Sequence, residues 1–308
     1  MFTDPTASVR VKGTSMDSFG GMVRSRRECL GLEHFAMVKR SLRDLRHGLS
    51  EYSFANLYLF RGKHEYEILL DEHIAIYGRT YDDHLYMMPL FDISKVSREY
   101  LVHLTEEMHF MFPIHEMQMQ FCSRERFVAS YNSDDSDYLH ESCKFLTYPG
   151  NSLRGKKNLA NRFSKTHMPW SRPLDDGSRD DAISVLEQWQ EQVGTSPEST
   201  DYFPCLEALM LCESLELFGF VYYSDAKPCG FIIAEELAPE MCVLHFYKGE
   251  RCFKGIYEYM FQHFACRYAD RYRYFNFEQD LGMPGLNTAK SQYGPDRLLK
   301  KYRVKACE

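Results

Sequence analysis

Residues 241–280 read MCVLHFYKGERCFKGIYEYMFQHFACRYADRYRYFNFEQD, and this stretch decides the fold. Residues 241–247 predict a β-strand, and the glycine-containing turn after them leads into a helix predicted over residues 254–268. Residues 272–278 predict a second strand, whose end delivers two carboxylates. Three apolar residues at helical spacing support the helix: Ile256, Met260 and Phe264. The succession of strand, helix and strand indicates an α/β fold.

Both halves of the chain predict one order of elements, namely helix, three antiparallel strands, helix, strand and short helix. In the first half the predicted elements are helices at 34–48 and 53–60, strands at 66–70, 73–77 and 84–89, a helix at 94–110, a strand at 114–121 and a short helix at 124–130. In the second half they are a helix at 204–217, strands at 218–223, 229–234 and 241–247, the helix at 254–268, the strand at 272–278, a short helix at 286–291 and a strand at 301–304.

The repeated order predicts two tandem α/β domains, each with a mixed, mostly antiparallel sheet flanked by helices. We expect the domains at residues 23–145 and 146–308, after a flexible tail at residues 1–22. The segment 171–202 is rich in Ser, Asp, Gly and Pro around a single helix. It is therefore predicted to be a polar insertion or flap rather than part of the core.

Composition narrows the class of protein. The 308 residues carry a net charge of −7, which argues against a general nucleic-acid binder but leaves room for local basic patches. No apolar run is long enough to span a bilayer, and residues 1–20 lack the apolar core of a signal peptide. The ten cysteines form no CxxC pair. Reduced thiols in a cytoplasmic protein are the simplest interpretation, and no metal site is predicted.

Three residues are candidates for proton transfer. Glu278 and Asp280 are two positions apart, so on a strand they would share one face and could serve acid–base chemistry. The alternative is a polar strand end that caps the next helix. His245 lies on the neighbouring predicted strand and is the second choice, although a lone strand histidine is more often a core residue with satisfied hydrogen bonds.

The order of elements is that of the GNAT acyltransferase fold. In that fold the backbone amides at the start of the central helix bind a pyrophosphate with the help of the helix dipole. The corresponding junction here is YKGERCFKGIY at residues 247–257, in which Lys254 and Gly255 suit a phosphate. Tyr257 stands where a small residue is usual, so a coenzyme A loop and an ordinary glycine turn remain alternatives.

The chain resembles the lysylphosphatidylglycerol synthase C-terminal-domain-like family, a group of tandem-GNAT proteins. Four stretches between residues 50 and 303 carry the resemblance. They are SEYSFANLY at 50–58; DY at 137–138 with YPGNSLRGKKN at 148–158 and NRF at 161–163; HFYK at 245–248 with GIY at 255–257; and NFEQDLG at 276–282 with Leu286, Ala289, Lys290, Tyr293 and Pro295. Four positions depart from the family pattern: Asn151, Tyr247, Asn287 and Gln292.

The resemblance implies an aminoacyl- or acyltransferase. Characterised relatives move an amino acid from aminoacyl-tRNA to a lipid head group, and related enzymes move one to a peptidoglycan peptide. Such a site needs a group that accepts the proton of the attacking amine or hydroxyl, and donors for the oxyanion. Glu278, Asp280 and His245 are predicted to be catalytic. Seven residues are predicted to bind the substrate or its phosphates: Lys156, Lys157, Asn158, Arg162, Asn276, Lys290 and Tyr293.

Basic patches support a phosphate-bearing donor. Residues 154–165 carry five bases and no acid, and residues 290–305 carry six bases against Asp296. A solvated helix face is the alternative for each. The other bases near the carboxyl end are predicted to lie on the surface: Arg297, Lys300 and Lys301.

Three functions follow. Transfer from aminoacyl-tRNA to a small-molecule, peptide or lipid-head-group acceptor is favoured. The second is acyl transfer with a coenzyme A thioester as donor, in the site that contains Lys254 and Gly255. The third is a non-catalytic binding or regulatory module, which the loss of charge at Tyr247 and Asn287 favours.

Overall fold

The computed structural model describes residues 27–45, 47–122 and 126–307. The predicted tail at residues 1–22 lies outside these ranges. Within them the chain forms two seven-stranded sheets, each with parallel and antiparallel neighbours and with flanking helices. The predicted fold class, two mixed and mostly antiparallel sheets flanked by helices, is confirmed.

The strands in chain order are β1 (Arg27–Cys29), β2 (Glu67–Leu69), β3 (Ala75–Arg79), β4 (Leu85–Pro89), β5 (Phe110–His115), β6 (Phe127–Tyr131), β7 (Asp137–Glu141), β8 (Pro169–Pro173), β9 (Phe218–Ser224), β10 (Lys227–Ala238), β11 (Met241–Gly249), β12 (Tyr274–Asn276), β13 (Arg297–Leu299) and β14 (Lys301–Ala306). The first sheet has the order β1-β2-β3-β4-β5-β14-β6, and the second has the order β13-β7-β12-β11-β10-β9-β8.

The helices are α1 (Phe35–Leu42), α2 (Phe54–Leu59), α3 (Arg61–His64), α4 (Arg98–Leu104), α5 (Cys143–Thr147), α6 (Arg154–His167), α7 (Arg179–Val193), α8 (Tyr202–Met210), α9 (Ile256–Tyr268) and α10 (Pro284–Ser291). Most of the predicted second-half elements are present, some longer and some shorter than predicted. The predicted strand at 272–278 is the largest difference that concerns the site, because β12 ends at Asn276.

The two halves exchange strands. β7 pairs with β12 and β13 in the second sheet, although the predicted boundary at residues 145 and 146 assigned it to the first domain. β14, at the carboxyl end, pairs with β5 and β6 in the first sheet. The predicted boundary is therefore wrong for both strands. Strand pairing over this sequence distance depends on the path of the whole chain, which local periodicity does not encode.

The polar segment 171–202 is not a flap. β8 forms the edge of the second sheet beside β9, and α7 packs on β10 and β11. Three α7 side chains lie fully buried in the core: Ala182, Val185 and Leu186. The prediction of an insertion is wrong because the polar residues occupy the outer face of an amphipathic helix whose inner face is apolar.

Two first-half predictions are also wrong. The predicted strand at 114–121 is the end of β5 followed by a 3₁₀ turn over Glu116–Phe121, which Nδ1 of His115 caps by accepting the Met117 N–H at 3.1 Å. Residues 124 and 125 of the helix predicted at 124–130 lie outside the described ranges, and from Phe127 the chain is instead strand β6, which pairs with β14 over five residues. A partner strand from the far end of the chain decides this conformation.

One apolar cluster contains residues from both halves of the chain. Helices α2 and α8 contribute to it, together with strands of both sheets. β12 pairs in parallel with only the first three residues of β11, from Met241 to Val243. β11 then continues to Gly249 without β12 beside it. The second sheet thus opens next to α2, and the residues after β12 lie at this opening.

Candidate active site

The site is built around a buried histidine between two carboxylates. Nδ1 of His245 lies 2.9 Å from Oε1 of Glu278, and Nε2 lies 3.1 Å from Oε2 of Glu235. Only 1% of the His245 side chain is exposed, whereas 17% of the Glu278 side chain is. Glu278 is therefore the member of this group that a substrate can reach.

A β-bulge aims His245 at its partners. Ile233 pairs with Phe246 and the next residue, Ala234, pairs with Leu244, so His245 is an extra residue on β11. Bulges bend a strand, increase its twist and redirect a side chain, and they are frequent beside active sites. Here the bulge places the imidazole between Glu235 and Glu278.

Helix α2, from the first half of the chain, supplies two polar groups. Ser53 caps the helix by accepting the Asn56 N–H at 3.0 Å, and its hydroxyl donates to Oε2 of Glu235 at 2.5 Å. The side-chain amide of Asn56 donates to Oε1 of Glu278 at 3.3 Å. Glu235 and Glu278 are therefore each held by one residue from the first half of the chain.

The charge state of His245 follows from these contacts. Burial lowers its pKa, but the hydrogen bonds that the ring donates to Glu235 and Glu278, together with the charges of these carboxylates, outweigh burial and raise the pKa to about 9. At neutral pH the ring is an imidazolium that donates to both carboxylates. A protonated ring cannot accept a proton, so within this group Glu278 is the available base.

Asp280 has a different environment. Its carboxylate accepts hydrogen bonds from the Tyr138 hydroxyl at 2.6 Å, the Asn287 amide at 2.7 Å and the Gly282 N–H at 2.9 Å. Burial opposes ionisation, but these bonds hold the pKa of Asp280 below its ordinary value. The carboxylate fixes the turn before α10 but does not cap that helix, because the N-cap position is Met283 and no side chain caps it.

The two carboxylates do not share a strand face. β12 ends before them, and Glu278 adopts left-handed backbone with φ of 59°. The side-chain oxygen of Asn276 accepts the Glu278 N–H at 2.7 Å and stabilises this turn. The predicted common face is wrong because its premise, a strand through residue 280, does not hold.

Asn276 and Lys290 are both buried behind the Glu278 loop. The Asn276 amide donates to the Gly48 carbonyl and to Oδ2 of Asp137, each at 2.9 Å. The Lys290 ammonium donates to the Gln279 carbonyl at 2.5 Å, and burial lowers its pKa to about 8 although nearby carboxylates oppose this. Both side chains hold the backbone around Glu278.

A second buried network was missed by sequence. Nζ of Lys301, predicted to lie on the surface, has no exposed side-chain area and contacts Oδ1 of Asp137 at 2.6 Å, Oε1 of Glu51 at 2.7 Å and Oε1 of Gln279 at 2.8 Å. The Ser50 hydroxyl lies 3.2 Å from the same ammonium. The surface prediction for Lys301 is wrong because β14 is an inner strand of the first sheet.

The predicted phosphate ligands on and near α6 fall into two groups, one paired with Glu258 and one exposed. Lys156 donates to Oε1 of Glu258 at 3.0 Å, and its ammonium lies 4.3 Å from the centre of the Tyr293 ring. The Tyr293 hydroxyl donates to the same carboxylate at 3.3 Å. Lys156, Tyr293 and Glu258 therefore form one cluster, in which Glu258 neutralises the charge of Lys156. Three other predicted ligands lie exposed on α6: Lys157, Asn158 and Arg162.

A surface cavity of about 550 Å³ adjoins the start of α6. Its lining comprises Thr147, Tyr148, Pro149, Gly150, Asn151, Arg154, Lys157 and Asn158. The cavity is basic on its helix side, and it does not include Glu278. The exposed bases at the start of α6 therefore line a different part of the surface from Glu278.

The start of α9 is covered by protein. Gly255 is buried with φ of 99°, and a Cβ at this position would lie 2.5 Å from the Leu159 carbonyl oxygen of α6. Lys254 beside it is exposed. The glycine thus permits close packing of α6 on α9, which leaves less room for a pyrophosphate at this helix start.

Sequence signals existed for part of the site. Ser50, Glu51, Ser53 and Asn56 all fall in the stretch 50–58 that carries the family resemblance, but no role was assigned to them. Glu235 and Lys301 had no such signal. In the described part of the chain no group of three or more His, Cys, Asp or Glu side chains is arranged to hold a metal ion. No helix there is both long and apolar enough to cross a membrane.

Two mixed sheets and a parallel strand pair that diverges beside a central helix define a tandem GNAT-like fold. Within that class, the chain belongs to the family described as phosphatidylglycerol lysyltransferase, C-terminal, whose model matches residues 42–305. The description of that family is of an aminoacyltransferase domain.

Solved structures agree with the fold. A protein of unknown function from Bacteroides thetaiotaomicron VPI-5482 superposes with a TM-score of 0.80 at 21% identity, over 92% of this chain and 100% of that chain. The C-terminal domain of a putative lysylphosphatidylglycerol synthetase from Agrobacterium fabrum gives a TM-score of 0.61 at 12% identity, over 88% and 91%.

One curated relative also matches, an uncharacterised protein of Mycoplasmoides gallisepticum. It is 21% identical over 196 residues, which are 61% of this chain and 62% of the relative. The chain therefore matches less than two thirds of the length of that relative.

Proposed function

We propose that this protein transfers an aminoacyl group from aminoacyl-tRNA to the hydroxyl or amine of an acceptor, with Glu278 as the proton acceptor. One observation carries the proposal. Both hydrogen bonds to the Glu278 side chain, from His245 and Asn56, use Oε1, while the side chain keeps 17% of its area exposed at the opening beside β11. A carboxylate oriented through one oxygen can use the other for a substrate proton.

The reaction is an acyl substitution. The acceptor oxygen or nitrogen attacks the ester carbonyl carbon, and its proton passes to the Glu278 carboxylate. The bond between that carbon and the ribose oxygen of the tRNA then breaks, and the leaving oxygen takes the proton back from Glu278. His245 remains protonated throughout and keeps Glu278 in place, so no covalent intermediate with the protein is needed.

Charge and family support aminoacyl-tRNA as the proposed donor. The exposed bases Lys157 and Arg162 on α6 suit the phosphates of a tRNA acceptor end. The relatives include a putative lysylphosphatidylglycerol synthetase, which supports a lipid head group as one acceptor class. The close packing of α6 against Gly255 argues for a tRNA donor over a coenzyme A thioester.

The test uses bulk tRNA charged with radiolabelled amino acids and vesicles that contain phosphatidylglycerol. The wild-type protein should move label from tRNA to an acceptor, and Glu278→Gln should lower the rate of transfer by about 100-fold or more while remaining folded. Soluble amines and peptides are run as parallel acceptors. Glu198→Gln, a change to an exposed glutamate on the Pro197–Ser199 turn, is the matched control and should leave the rate unchanged.

Thermal shifts separate the alternatives. A ligand that binds only the folded state raises the unfolding temperature. Stabilisation by charged but not uncharged tRNA supports the proposal. Stabilisation by acetyl-CoA or a longer acyl-CoA, with no transfer from tRNA, would replace it by thioester chemistry. Equal binding of donor by wild type and Glu278→Gln, without turnover by either, would favour a non-catalytic module.

A further inference from the structure

A buried network joins the last strand of the chain to the loop that carries Glu278. Lys301 is the first residue of β14 in the first sheet, whereas Glu278 follows β12 in the second. The Lys301 ammonium donates to the Gln279 side chain at 2.8 Å and to Asp137 at 2.6 Å. Asp137 in turn accepts from Asn276 at 2.9 Å. The network therefore reaches the loop on both sides of Glu278.

The loop needs this support because its backbone is strained. Glu278 has φ of 59°, which a residue with a side chain adopts only when its surroundings impose it. The Asn276 side chain accepts the Glu278 N–H at 2.7 Å, and the Tyr138 N–H donates to the Glu278 carbonyl at 3.2 Å. Asn276 is itself fixed by Asp137, and Asp137 by Lys301.

Stability alone does not account for a lysine at this position. Its side chain is fully buried, and replacing a buried ion pair by apolar residues is often neutral or stabilising. The charges are nonetheless arranged for geometry: the ammonium lies between Asp137 and Glu51 and also donates to two neutral acceptors, the Ser50 hydroxyl and the Gln279 side chain. Of these two, Gln279 is the contact that leads to the Glu278 loop.

We propose that Lys301 is a positioning residue for Glu278, acting through Gln279 and through Asp137 and Asn276. It keeps Oε1 of Glu278 within hydrogen-bond distance of His245 and so fixes the carboxylate that faces the substrate. The consequence for catalysis rests on the proposed function, whereas the consequence for the geometry of Glu278 does not. Through Lys301, strand β14 of the first sheet thereby fixes a residue that follows β12 in the second sheet.

The first measurement follows the imidazole of His245 by NMR titration, with His245→Gln used to assign its signal. The charged groups that face this ring are Glu235 from β10 and Glu278 from the loop after β12, and these carboxylates are in turn contacted by Ser53 and Asn56. Loss of the Glu278 contact removes one of the interactions that raise the pKa of His245. In Gln279→Ala, which removes the neutral link and keeps the buried charges paired, that pKa should fall by about one unit or more from its value of about 9.

The lysine itself is tested in Lys301→Met/Glu51→Gln, which removes one charge of each sign. The double variant should show the same fall in the pKa of His245. Lys300→Met is the matched control, because Lys300 is 43% exposed and its contact with Glu116 lies away from Glu278. That variant should titrate as the wild type does. An unchanged pKa of His245 in folded Gln279→Ala overturns the proposal, whether or not the double variant folds.

The second measurement is the rate of transfer from charged tRNA. A displaced general base lowers kcat, and a displacement of about 1 Å costs about 100-fold, whereas KM for the donor should not change in Gln279→Ala. If the pKa of His245 falls but the wild type transfers nothing, positioning by Lys301 stands and the proposed function fails. If the pKa falls in Gln279→Ala while kcat is unchanged, Lys301 positions Glu278 but Glu278 is not the base, so positioning stands and the proposed function fails.

Discussion

Nδ1 of His245 lies 2.9 Å from Oε1 of Glu278, which joins the bulge on β11 to the loop after β12. The two residues meet where β11 has diverged from β12, because the two strands pair only from Met241 to Val243.

Removing the Glu278 charge should lower the transfer rate by about 100- to 10,000-fold, the usual contribution of a positioned acid or base. Steady-state kinetics of Glu278→Gln and Glu198→Gln measure this effect. Equal rates in the two variants would exclude Glu278 as the base.

Stability should depend on pH through His245. Its folded pKa of about 9 lies above the ordinary value of 6.5, so the folded state binds the proton more tightly. The resulting stabilisation is complete below pH 6.5 and is lost as the pH rises through 9. The shift in the pKa of His245 contributes about 3 kcal/mol to the free energy of unfolding.

Urea unfolding at pH 6.5 and at pH 9.5 measures this loss. Glu51 and Lys290 also titrate with shifted pKa values, about 7 and about 8, so the quantity of interest is the difference between wild type and His245→Gln at each pH. That difference should shrink at the higher pH. A difference that is constant with pH would mean that His245 is not held as an imidazolium.

The cap of α2 should contribute more than an ordinary cap. Ser97 caps α4 by accepting the Tyr100 N–H at 3.1 Å on the surface, so Ser97→Ala should cost about 1 kcal/mol. Ser53→Ala also removes the hydrogen bond to buried Glu235, and should cost about 2–4 kcal/mol. Denaturant unfolding of both variants gives the comparison. Equal losses would show that the Ser53 contact with Glu235 adds nothing.

The packing of α6 on α9 should tolerate no side chain at Gly255. An alanine there would combine left-handed backbone with a contact of 2.5 Å to Leu159, and should cost about 3 kcal/mol. Gly150 also has positive φ, of 80°, but open space around it, so Gly150→Ala should cost about 1 kcal/mol. Thermal unfolding distinguishes the two. A mild effect at Gly255 would mean that α6 moves away readily and that the start of α9 can open.

Donor binding should depend on the exposed bases of α6. Removing Lys157 and Arg162 together should weaken binding of tRNA and lower the slope of log affinity against log salt by about 1 to 2, because each phosphate contact contributes about 0.7–0.9. Fluorescence anisotropy with labelled tRNA at several salt concentrations measures the slope. Arg40→Ala/Lys63→Ala removes the same charge from exposed positions on α1 and α3 and should leave the slope unchanged. Similar slopes in both variants would place the tRNA elsewhere.

Local patterns predicted many of the elements. Apolar residues at helical spacing indicated α9, and alternating or continuous apolar runs indicated β9, β10 and β11, because these periodicities are set within each segment. Segments whose conformation depends on a remote partner were predicted wrongly or missed. β6 was predicted as a helix, and the packing role of α7 was missed because its polar outer face dominated the composition.

The candidate site divides in the same way. His245 and Glu278 were both selected from the sequence, and the stretch 50–58 that contains Ser53 and Asn56 was noted. Their meeting was not predicted, because it depends on a bulge and on a strand end two residues earlier than expected. Lys301 was assigned to the surface, since a basic segment looks alike in a sequence whether it is solvated or buried.

The sequence by itself determined the family, the α/β character and the chemical groups available, because these are recorded in residue types and in spacings within a few turns or strands. Only the tertiary structure decided which groups meet. β7 and β14 cross between the sheets and bring Asp137 and Lys301 to the loop of Glu278, although 164 positions separate that pair in the chain. Pairing at such a distance depends on the sum of packing contacts along the whole chain, and no single segment specifies it.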